Sequence, residues 1–219
     1  KFYEPFSEIK KRRFDGLIIT GAPVEQMEFE EVDYWDELVE IMDWADEHVT
    51  STFFICWGAQ AAMYHFYGLK KKLLPQKLFG LYRHKVRNRK EPLVRGFDDE
   101  FYAPHSRHTT VDAEEIRACG ELTILAESEE AGVFIAMAEE GRKVFVFGHP
   151  EYDRLTLEKE YVRDKSKGLA IQLPKDYFPD DNSENKPLLL WRAHANTLYT
   201  NWINYYVYQT TPYVWEDEQ

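Results

Sequence analysis

The stretch that decides the fold reads Phe53-Phe-Ile-Cys-Trp-Gly-Ala-Gln60. Residues 52–55 form a short apolar run, which predicts a buried strand, and residues 58–67 carry small and apolar side chains at helical spacing. Cys56 therefore falls on the turn between a strand and a helix, which is the geometry of a nucleophile elbow. On such a turn the positive end of the helix favours the thiolate, and the backbone N–H of Trp57 points to where an oxyanion develops. The alternative is a buried cysteine that packs as a small apolar residue.

A second pair of reactive side chains follows another apolar run, in Val144-Phe-Val-Phe147-Gly-His149-Pro-Glu151. His149 and Glu151 are two residues apart, and alternate residues of an extended segment share a side, so both can face one site. A cysteine nucleophile needs a base, and the base needs a group that holds its tautomer. A histidine at a strand end is by itself more often structural, but together with Cys56 this pair favours acyl transfer.

The rest of the chain predicts an α/β fold. Helices are expected at residues 2–13, 32–47, 58–67, 154–167 and 195–209, and strands at residues 16–20, 52–55, 108–111, 122–126, 133–138 and 143–147. Residues 139–142 predict a hairpin turn, and residues 173–187 predict a loop. Strands that alternate with helices indicate a mostly parallel sheet flanked by helices, with functional sites at the carboxyl ends of the strands.

The composition excludes several classes of protein. The 219 residues fit one domain, and 27 Lys plus Arg against 39 Asp plus Glu give a net charge of −12, which argues against a nucleic-acid partner. No uncharged apolar run reaches the roughly 18 to 20 residues of a membrane span, so no membrane partner is expected. Cys56 and Cys119 are too few for a disulfide-rich scaffold and fit a reducing cytoplasm. No metal is expected, because His105 and His108 have no cysteine or acid nearby at ligand spacing.

Basic residues are concentrated in one stretch of this acidic chain. Residues 70–95 hold ten Lys or Arg and a single acid, Glu91. A solvated face explains most such runs. The alternative is contact with an anion, such as a phosphorylated cofactor.

Several longer motifs carry a resemblance to known proteins. The Cys56 stretch and Gly148-His-Pro-Glu151 resemble the Cys-His-Glu triad of class I glutamine amidotransferase-like domains, which have a flavodoxin-like fold. Five further stretches resemble the homoserine O-acyltransferase family of methionine biosynthesis: Phe14-Asp-Gly-Leu-Ile-Ile-Thr-Gly-Ala-Pro-Val-Glu25, Gln76-Lys-Leu-Phe-Gly80, Pro104-His-Ser-Arg-His108, Phe147-Gly-His-Pro-Glu-Tyr-Asp153 and Trp191-Arg-Ala-His-Ala-Asn196. The resemblance implies one acyltransferase domain over residues 1–219 that lacks the family's first N-terminal strand. It also implies a homodimer.

The resemblance assigns a role to each site residue. It implies a ping-pong reaction in which Cys56 takes the acyl group from acyl-CoA as a thioester, and His149, oriented by Glu151, deprotonates the γ-hydroxyl of L-homoserine. No permanently bound cofactor is implied; acetyl-CoA is a co-substrate. The expected oxyanion donors are the backbone N–H groups of Trp57 and of Ala22, from the Gly21-Ala22 turn. The positions that match the family's substrate contacts are Lys77, Ser106 and Arg163, and Arg163 can grip the homoserine carboxylate through two parallel hydrogen bonds.

One position separates the acyl donors that the family uses. By resemblance, a small residue in the place of Glu25 goes with succinyl-CoA and a glutamate goes with acetyl-CoA, because a second carboxylate would repel the succinyl group. The expectation is therefore a homoserine O-acetyltransferase. The alternatives are a homoserine O-succinyltransferase, a cysteine-dependent glutaminase or hydrolase of the same fold, and a catalytically silent binding domain. Phe54 weighs against the glutaminase, since the amidotransferase pattern has glycine two residues before the cysteine.

Overall fold

The computed structural model describes residues 3–212, in which a seven-stranded sheet is flanked by helices. The helices are α1 (Phe6–Ile9), α2 (Trp35–His48), α3 (Trp57–Tyr67), α4 (Ala113–Ala118), α5 (Thr156–Ser166) and α6 (Arg192–Asn201), the last continuing as a π-helix over Trp202–Tyr208. The strands are β1 (Phe14–Ile19), β2 (Val49–Ile55), β3 (Lys71–Val86), β4 (Glu100–Val111), β5 (Thr123–Ser128), β6 (Gly132–Ala138) and β7 (Lys143–Val146). None of the helices in this part of the chain is long and apolar enough to cross a membrane.

The α/β class is confirmed, but the sheet is mixed rather than mostly parallel. Its strand order is β1-β2-β7-β6-β5-β3-β4, and only the β1–β2 and β2–β7 pairs are parallel among the strands that the structure describes. The other four pairs are antiparallel. The physical reason is the length of the connections: β6 and β7 are joined by the tight turn at Glu139–Gly141, and a parallel pair needs a crossover of a dozen residues or more. The hairpin predicted at residues 139–142 is thus confirmed.

The largest element that the sequence did not predict is β3. Its 16 residues cover most of the basic stretch, and it pairs with β4 from Lys71 opposite Val111 to Lys85 opposite Glu100, with a register shift between Leu73 and Leu78. The predicted helix over 2–13 is also wrong in extent, since only Phe6–Ile9 is helical within residues 3–13. The strand predicted at 108–111 is the last part of the longer β4.

The core lies on both faces of the β1–β2–β7 part of the sheet. Along β2, Phe54 packs with Phe145 under α2 and α3, whereas the neighbouring Phe53 packs against Trp202 of the π-helix on the opposite face. A strand buried on both faces cannot shift without exposing large apolar side chains, each of which contributes about 1.5–3 kcal/mol by burial. The carboxyl end of β2 is therefore a rigid platform for the residue that follows it.

Candidate active site

Cys56 occupies the sharp turn that the sequence predicts. It lies between β2 and α3 and has φ +53° and ψ −116°, a backbone conformation that residues other than glycine rarely adopt. Its backbone N–H donates to the carbonyl of Val146 at 2.7 Å, and its own carbonyl accepts from the N–H of Ala59 at 3.0 Å. Such a conformation costs about 1–3 kcal/mol and persists because the surrounding core determines it. The elbow thus projects the buried thiol from the end of the sheet.

Gly58 allows the elbow to form. A Cβ atom at this position would lie 2.8 Å from the carbonyl oxygen of Ile19 and 3.0 Å from that of Thr20, both of them backbone atoms that cannot move aside. The absence of a side chain lets the first turn of α3 pack directly on the end of β1. This close approach brings the loop after β1 beside the cysteine.

His149 and Glu151 complete a triad with Cys56. Nδ1 of His149 lies 2.7 Å from Oε1 of Glu151, and the imidazole also hydrogen-bonds Cys56. The ring stacks on Tyr152 with 4.2 Å between the centroids, and the backbone N–H of His149 donates to the carbonyl of Pro104 at 2.8 Å. The ring is therefore held from three sides.

The electrostatics of the triad favour a protonated imidazole. Burial on its own lowers the pKa of His149, but the charge and hydrogen bond of Cys56, and then those of Glu151, outweigh burial and raise the pKa of His149 to about 10. The arrangement therefore favours the imidazolium form of His149.

The predicted oxyanion donors lie next to each other. A Cβ atom on Gly21 would lie 3.1 Å from Cβ of Cys56 and 3.4 Å from the backbone nitrogen of Trp57, so the turn after β1 passes beside the elbow. Trp57 is in the first turn of α3, where backbone N–H groups have no acceptor within the helix. Ala22 follows Gly21 and lines the same cavity as the thiol.

Cys56 and His149 open into a cavity of about 500 Å³, whereas Glu151 lies behind the imidazole and does not line it. Most of the predicted site residues line it: Cys56, His149, Lys77, Ser106, Arg163 and Glu25. One wall is the loop of residues 21–27 after β1, and the opposite wall is formed by β3, β4 and α5. The fold thus brings together residues that are more than a hundred positions apart in the sequence.

A carboxylate that the sequence analysis missed is at the centre of the polar wall. Glu160 accepts a hydrogen bond from Oγ of Ser106 at 2.6 Å and one from the Tyr152 hydroxyl at 2.9 Å. Nζ of Lys77 lies 3.4 Å from the same carboxylate and 3.7 Å from a carboxylate oxygen of Asp164. The signal was available, because Glu160 lies three residues before Arg163 and therefore on the same face of α5.

Arg163 is at the rim of the cavity, and part of its guanidinium is already paired with Asp164. Its Nε and one terminal nitrogen bind the two carboxylate oxygens of Asp164 at 2.6 and 3.0 Å, while 54% of its side chain is exposed. These hydrogen bonds raise the pKa of Arg163 and lower the pKa of Asp164. The remaining N–H groups of the guanidinium are on its two terminal nitrogens, and they form a second parallel pair that can make the two-point contact predicted for Arg163.

Glu25 is fixed inside the cavity wall. Its Oε2 accepts the backbone N–H of His108 at 2.8 Å, and its carbonyl oxygen accepts a hydrogen bond from Nζ of Lys71 at 2.9 Å. The carboxylate therefore has one oxygen tied to β4, within the cavity that the thiol also lines.

The remaining histidines and the second cysteine lie apart from the triad. His105 is buried, with its Nε2 3.0 Å from Nε2 of His84, whereas His108 lines the cavity. Within residues 3–212, no three His, Cys, Asp or Glu side chains are arranged to hold a metal ion. Cys119 is half-buried at the end of α4 and does not line the cavity.

The fold and the site define the class of protein: an α/β enzyme of the glutamine amidotransferase-like fold, with a cysteine on the strand–helix turn. Two solved structures share the fold. A glutamine amidotransferase from Thermotoga maritima superposes with a TM-score of 0.64 at 15% identity over 95% of this chain and 82% of that one. A glutamine amidotransferase from Methylobacillus flagellatus gives a TM-score of 0.64 at 12% identity, over 94% and 80%. At such identities the likeness concerns the fold alone.

Sequence comparison identifies the family within that class. The family model described as homoserine O-succinyltransferase matches residues 1–213. A protein of Lachnoclostridium phytofermentans named homoserine O-acetyltransferase is 66% identical over 213 residues, which are 97% of this chain and 71% of that protein. One of the same name from Bacteroides fragilis is 56% identical over 216 residues, 99% of this chain and 71% of that protein. The chain therefore belongs to the homoserine O-succinyltransferase family and is an acyltransferase.

Proposed function

We propose that the chain transfers an acetyl group from acetyl-CoA to the γ-hydroxyl of L-homoserine through a thioester on Cys56. The observation that carries the proposal is the shared cavity: the thiol, its histidine partner and a set of charges that suits an amino acid all line one space of about 500 Å³. The relatives named homoserine O-acetyltransferase match 97% of the chain or more, which supports the same choice of acceptor and donor.

The first half-reaction acylates the cysteine. The thiolate of Cys56 attacks the thioester carbonyl, and the N–H groups of Trp57 and Ala22 stabilise the tetrahedral oxyanion. The C–S bond to CoA then breaks, and the imidazolium of His149 donates its proton to the departing thiolate. One thioester replaces another, so the step is nearly balanced in free energy, and the protein contributes positioning and charge stabilisation.

The second half-reaction moves the acyl group to an oxygen. His149, now neutral and held by Glu151 at 2.7 Å, takes the proton of the homoserine hydroxyl as its oxygen attacks the acyl carbon. Collapse of the second tetrahedral intermediate breaks the bond to sulfur and restores the Cys56 thiolate beside an imidazolium. An ester of homoserine leaves the site.

The polar wall matches the two charges of an amino acid. We propose that the Glu160 carboxylate binds the homoserine ammonium, and that Lys77 and Arg163 bind its carboxylate with the hydroxyl of Ser106 as a further donor. Glu160 and Lys77 are only 15% and 16% exposed in their side chains, so these charges act in a partly desolvated space where pairing is strong. The homoserine ammonium would then face the Glu160 carboxylate, which Ser106, Tyr152 and Lys77 already orient.

The donor is proposed to be acetyl-CoA because of Glu25. The family model is described by the succinyl reaction, whereas the relatives are named for the acetyl reaction, so membership alone does not decide the donor. Glu25 presents a carboxylate to the cavity that holds the thiol. A succinyl group ends in a second carboxylate, which this charge would repel, and an acetyl group carries none.

Mass spectrometry of the intact protein tests the proposal. Incubation with acetyl-CoA is expected to add one acetyl group, and addition of homoserine is expected to remove it and release an O-acetyl product. Cys56→Ala should abolish the adduct, and the matched variant Cys119→Ala, which changes the cysteine outside the cavity, should retain it. Failure of the folded protein to form the adduct would overturn the proposal. Release of ammonia from glutamine would instead support the glutaminase alternative, which the fold of the amidotransferases suggests.

A further inference from the structure

Lys71, the first residue of β3, directs its ammonium into the protein. Nζ donates to the carbonyl oxygen of Glu25 at 2.9 Å and also to the carbonyl oxygen of Met27. The same ammonium lies 4.4 Å from the centre of the Phe29 ring, within the range of a cation–π contact. One side chain thus joins β3 to two residues of the loop of residues 21–27 and to Phe29, which follows that loop.

That loop has little structure of its own. Residues 21–27 form neither helix nor strand, and their internal turn is closed by a hydrogen bond from the N–H of Met27 to the carbonyl of Val24 at 3.0 Å. The loop nevertheless carries both the proposed oxyanion donor Ala22 and the proposed donor selector Glu25. Its position must therefore be fixed by contacts from outside, and hydrogen bonds from a charged donor are the stronger kind.

Both outside anchors of Glu25 come from the same end of the β3–β4 pair. The carbonyl is held by Lys71, which is opposite Val111 in the register, and the carboxylate is held at 2.8 Å by the N–H of His108 on β4. The main chain and the side chain of Glu25 are thus tied to two adjacent strands. Loss of either tie would free the carboxylate to move away from the acyl group.

The neighbouring Lys72 shows what an ordinary residue of the basic stretch does. Its Nζ points outward and pairs with Asp112 at 3.0 Å and Glu115 at 2.8 Å, with half of its side chain exposed. Burial lowers the pKa of Lys71, although the negative charges of Glu28 and Glu25 act to raise it. A net lowering agrees with an ammonium that is partly buried by the loop. Lys71 is thus engaged with backbone carbonyls, and its charge is not directed outward to a CoA phosphate.

We infer that Lys71 is a positioning residue for acyl-donor selection: it holds the 21–27 loop so that Glu25 faces the acyl group bound at Cys56. This inference rests on the proposed function. It adds a residue that acts through Glu25 and contacts neither substrate nor thiol. Removal of the ammonium should affect the choice of donor and leave the homoserine site on β3, β4 and α5 unchanged.

The test compares Lys71→Met with Lys71→Arg and with the matched surface variant Lys72→Met. For Lys71→Met we expect the ratio of kcat/KM for succinyl-CoA to that for acetyl-CoA to rise about tenfold, with the KM for homoserine unchanged. Lys71→Arg keeps a cation that can donate to two carbonyls, so it should restore the ratio to within about twofold of the wild type. Lys72→Met should leave the ratio as it is.

Hydrogen–deuterium exchange gives a readout that does not depend on acyl transfer. The amides of residues 21–27 should exchange faster in Lys71→Met than in the wild type and in Lys72→Met. A folded Lys71→Met protein with an unchanged donor ratio and unchanged exchange would overturn the inference. If Lys71→Met does not fold, Lys71→Gln, whose amide can donate to one carbonyl, should give an intermediate ratio, and a wild-type ratio there would overturn it. A wild-type protein that acetylates no homoserine would refute the proposed function, and the exchange data would still decide whether Lys71 anchors the loop.

Discussion

Replacing Glu25 by glutamine should convert the protein toward use of succinyl-CoA. The amide keeps the shape of the carboxylate, and its oxygen can still accept the N–H of His108, which the wild-type side chain binds at 2.8 Å. The substitution therefore removes one negative charge and little else. Glu25→Gly removes both the charge and the volume of the side chain. Comparison of the two variants therefore distinguishes charge repulsion of the succinyl carboxylate from the space that the longer acyl group needs.

The size of the effect follows from the charges. Two carboxylates about 4 Å apart repel each other by about 4 kcal/mol at an effective dielectric constant near 20, which corresponds to about a thousandfold in rate. This is an upper value, because the N–H of His108, which binds Oε2 of Glu25, offsets part of the carboxylate charge. Half of that repulsion still corresponds to about thirtyfold. We expect Glu25→Gln to raise the succinyl-to-acetyl ratio of kcat/KM between these bounds.

The assay measures kcat/KM for both CoA esters at a fixed homoserine concentration, with free CoA quantified by chromatography. Glu37→Gln is the matched control, because it removes the same charge from the exposed first turn of α2 and should leave the ratio unchanged. A larger ratio in Glu25→Gly than in Glu25→Gln would show that the volume of the Glu25 side chain, as well as its charge, disfavours succinyl-CoA. An unchanged ratio in both variants would refute the electrostatic argument and leave acyl transfer by Cys56 untouched.

Three further predictions concern the acceptor, the triad and the core. Glu160→Gln removes the charge proposed to bind the homoserine ammonium, so the KM for homoserine should rise about ten- to a hundredfold while acetylation of the protein is retained; an unchanged KM would remove Glu160 from the acceptor site. Burial alone lowers the pKa of His149, but Cys56 and Glu151 raise it to about 10. In Glu151→Gln this pKa should fall, so the alkaline limb of the single-turnover acylation rate should move to lower pH by about one unit or more. An alkaline limb that does not move would contradict the role of Glu151 in the triad. Burial lowers the pKa of His84 from 6.5 to about 3 and holds the pKa of His105 well below 6.5. The unfolded chain therefore takes up protons below pH 6.5 that the folded protein does not, and each histidine should reduce the free energy of unfolding by about 1.4 kcal/mol per pH unit as the pH falls below 6.5. Denaturant titrations between pH 7 and 5 measure this slope, and a flat profile would contradict it.

The location of the triad could be predicted because its signals are local. Cys56 and His149 each follow a short apolar run directly, and such runs end at the same edge of the sheet when their strands are parallel neighbours, as β2 and β7 are. The turn itself is also encoded nearby, since Gly58 allows the close approach to β1. The strand, the turn and the helix follow one another within the 19 residues from Val49 to Tyr67, so their placement depends mainly on local sequence.

The other side of the cavity could not be predicted in the same way. The start of β3, with Lys71 and Pro75, shows no alternation of apolar and polar residues. It forms a strand through pairing with the end of β4, where Lys71 is opposite Val111, 40 residues further along the chain. The sequence of α5 is typical of a charged surface helix and does not reveal that Glu160 faces Ser106 on β4. Contacts between distant elements decide these positions, so charge pattern alone predicted a solvated face.

The sheet assigns the parts of the proposed reaction to different strands. Cys56 and His149 follow the parallel pair β2 and β7, which is buried on both faces, so the nucleophile and its base are held by the rigid core. The groups proposed to bind homoserine lie on β3, β4 and α5, and the loop that carries Glu25 is tied to β3 and β4. The two sets are joined by Gly21, which lies beside Cys56, and by Tyr152, which stacks on His149 and donates to Glu160. Glu25 takes no part in these contacts, so a substitution there is expected to change the preferred donor while the thiol keeps its reactivity toward a thioester. The family model is described by the succinyl reaction and the relatives are named for the acetyl reaction. The proposed selection by Glu25 accounts for that difference, because replacing one carboxylate in the loop would change the preferred donor without altering Cys56 or His149.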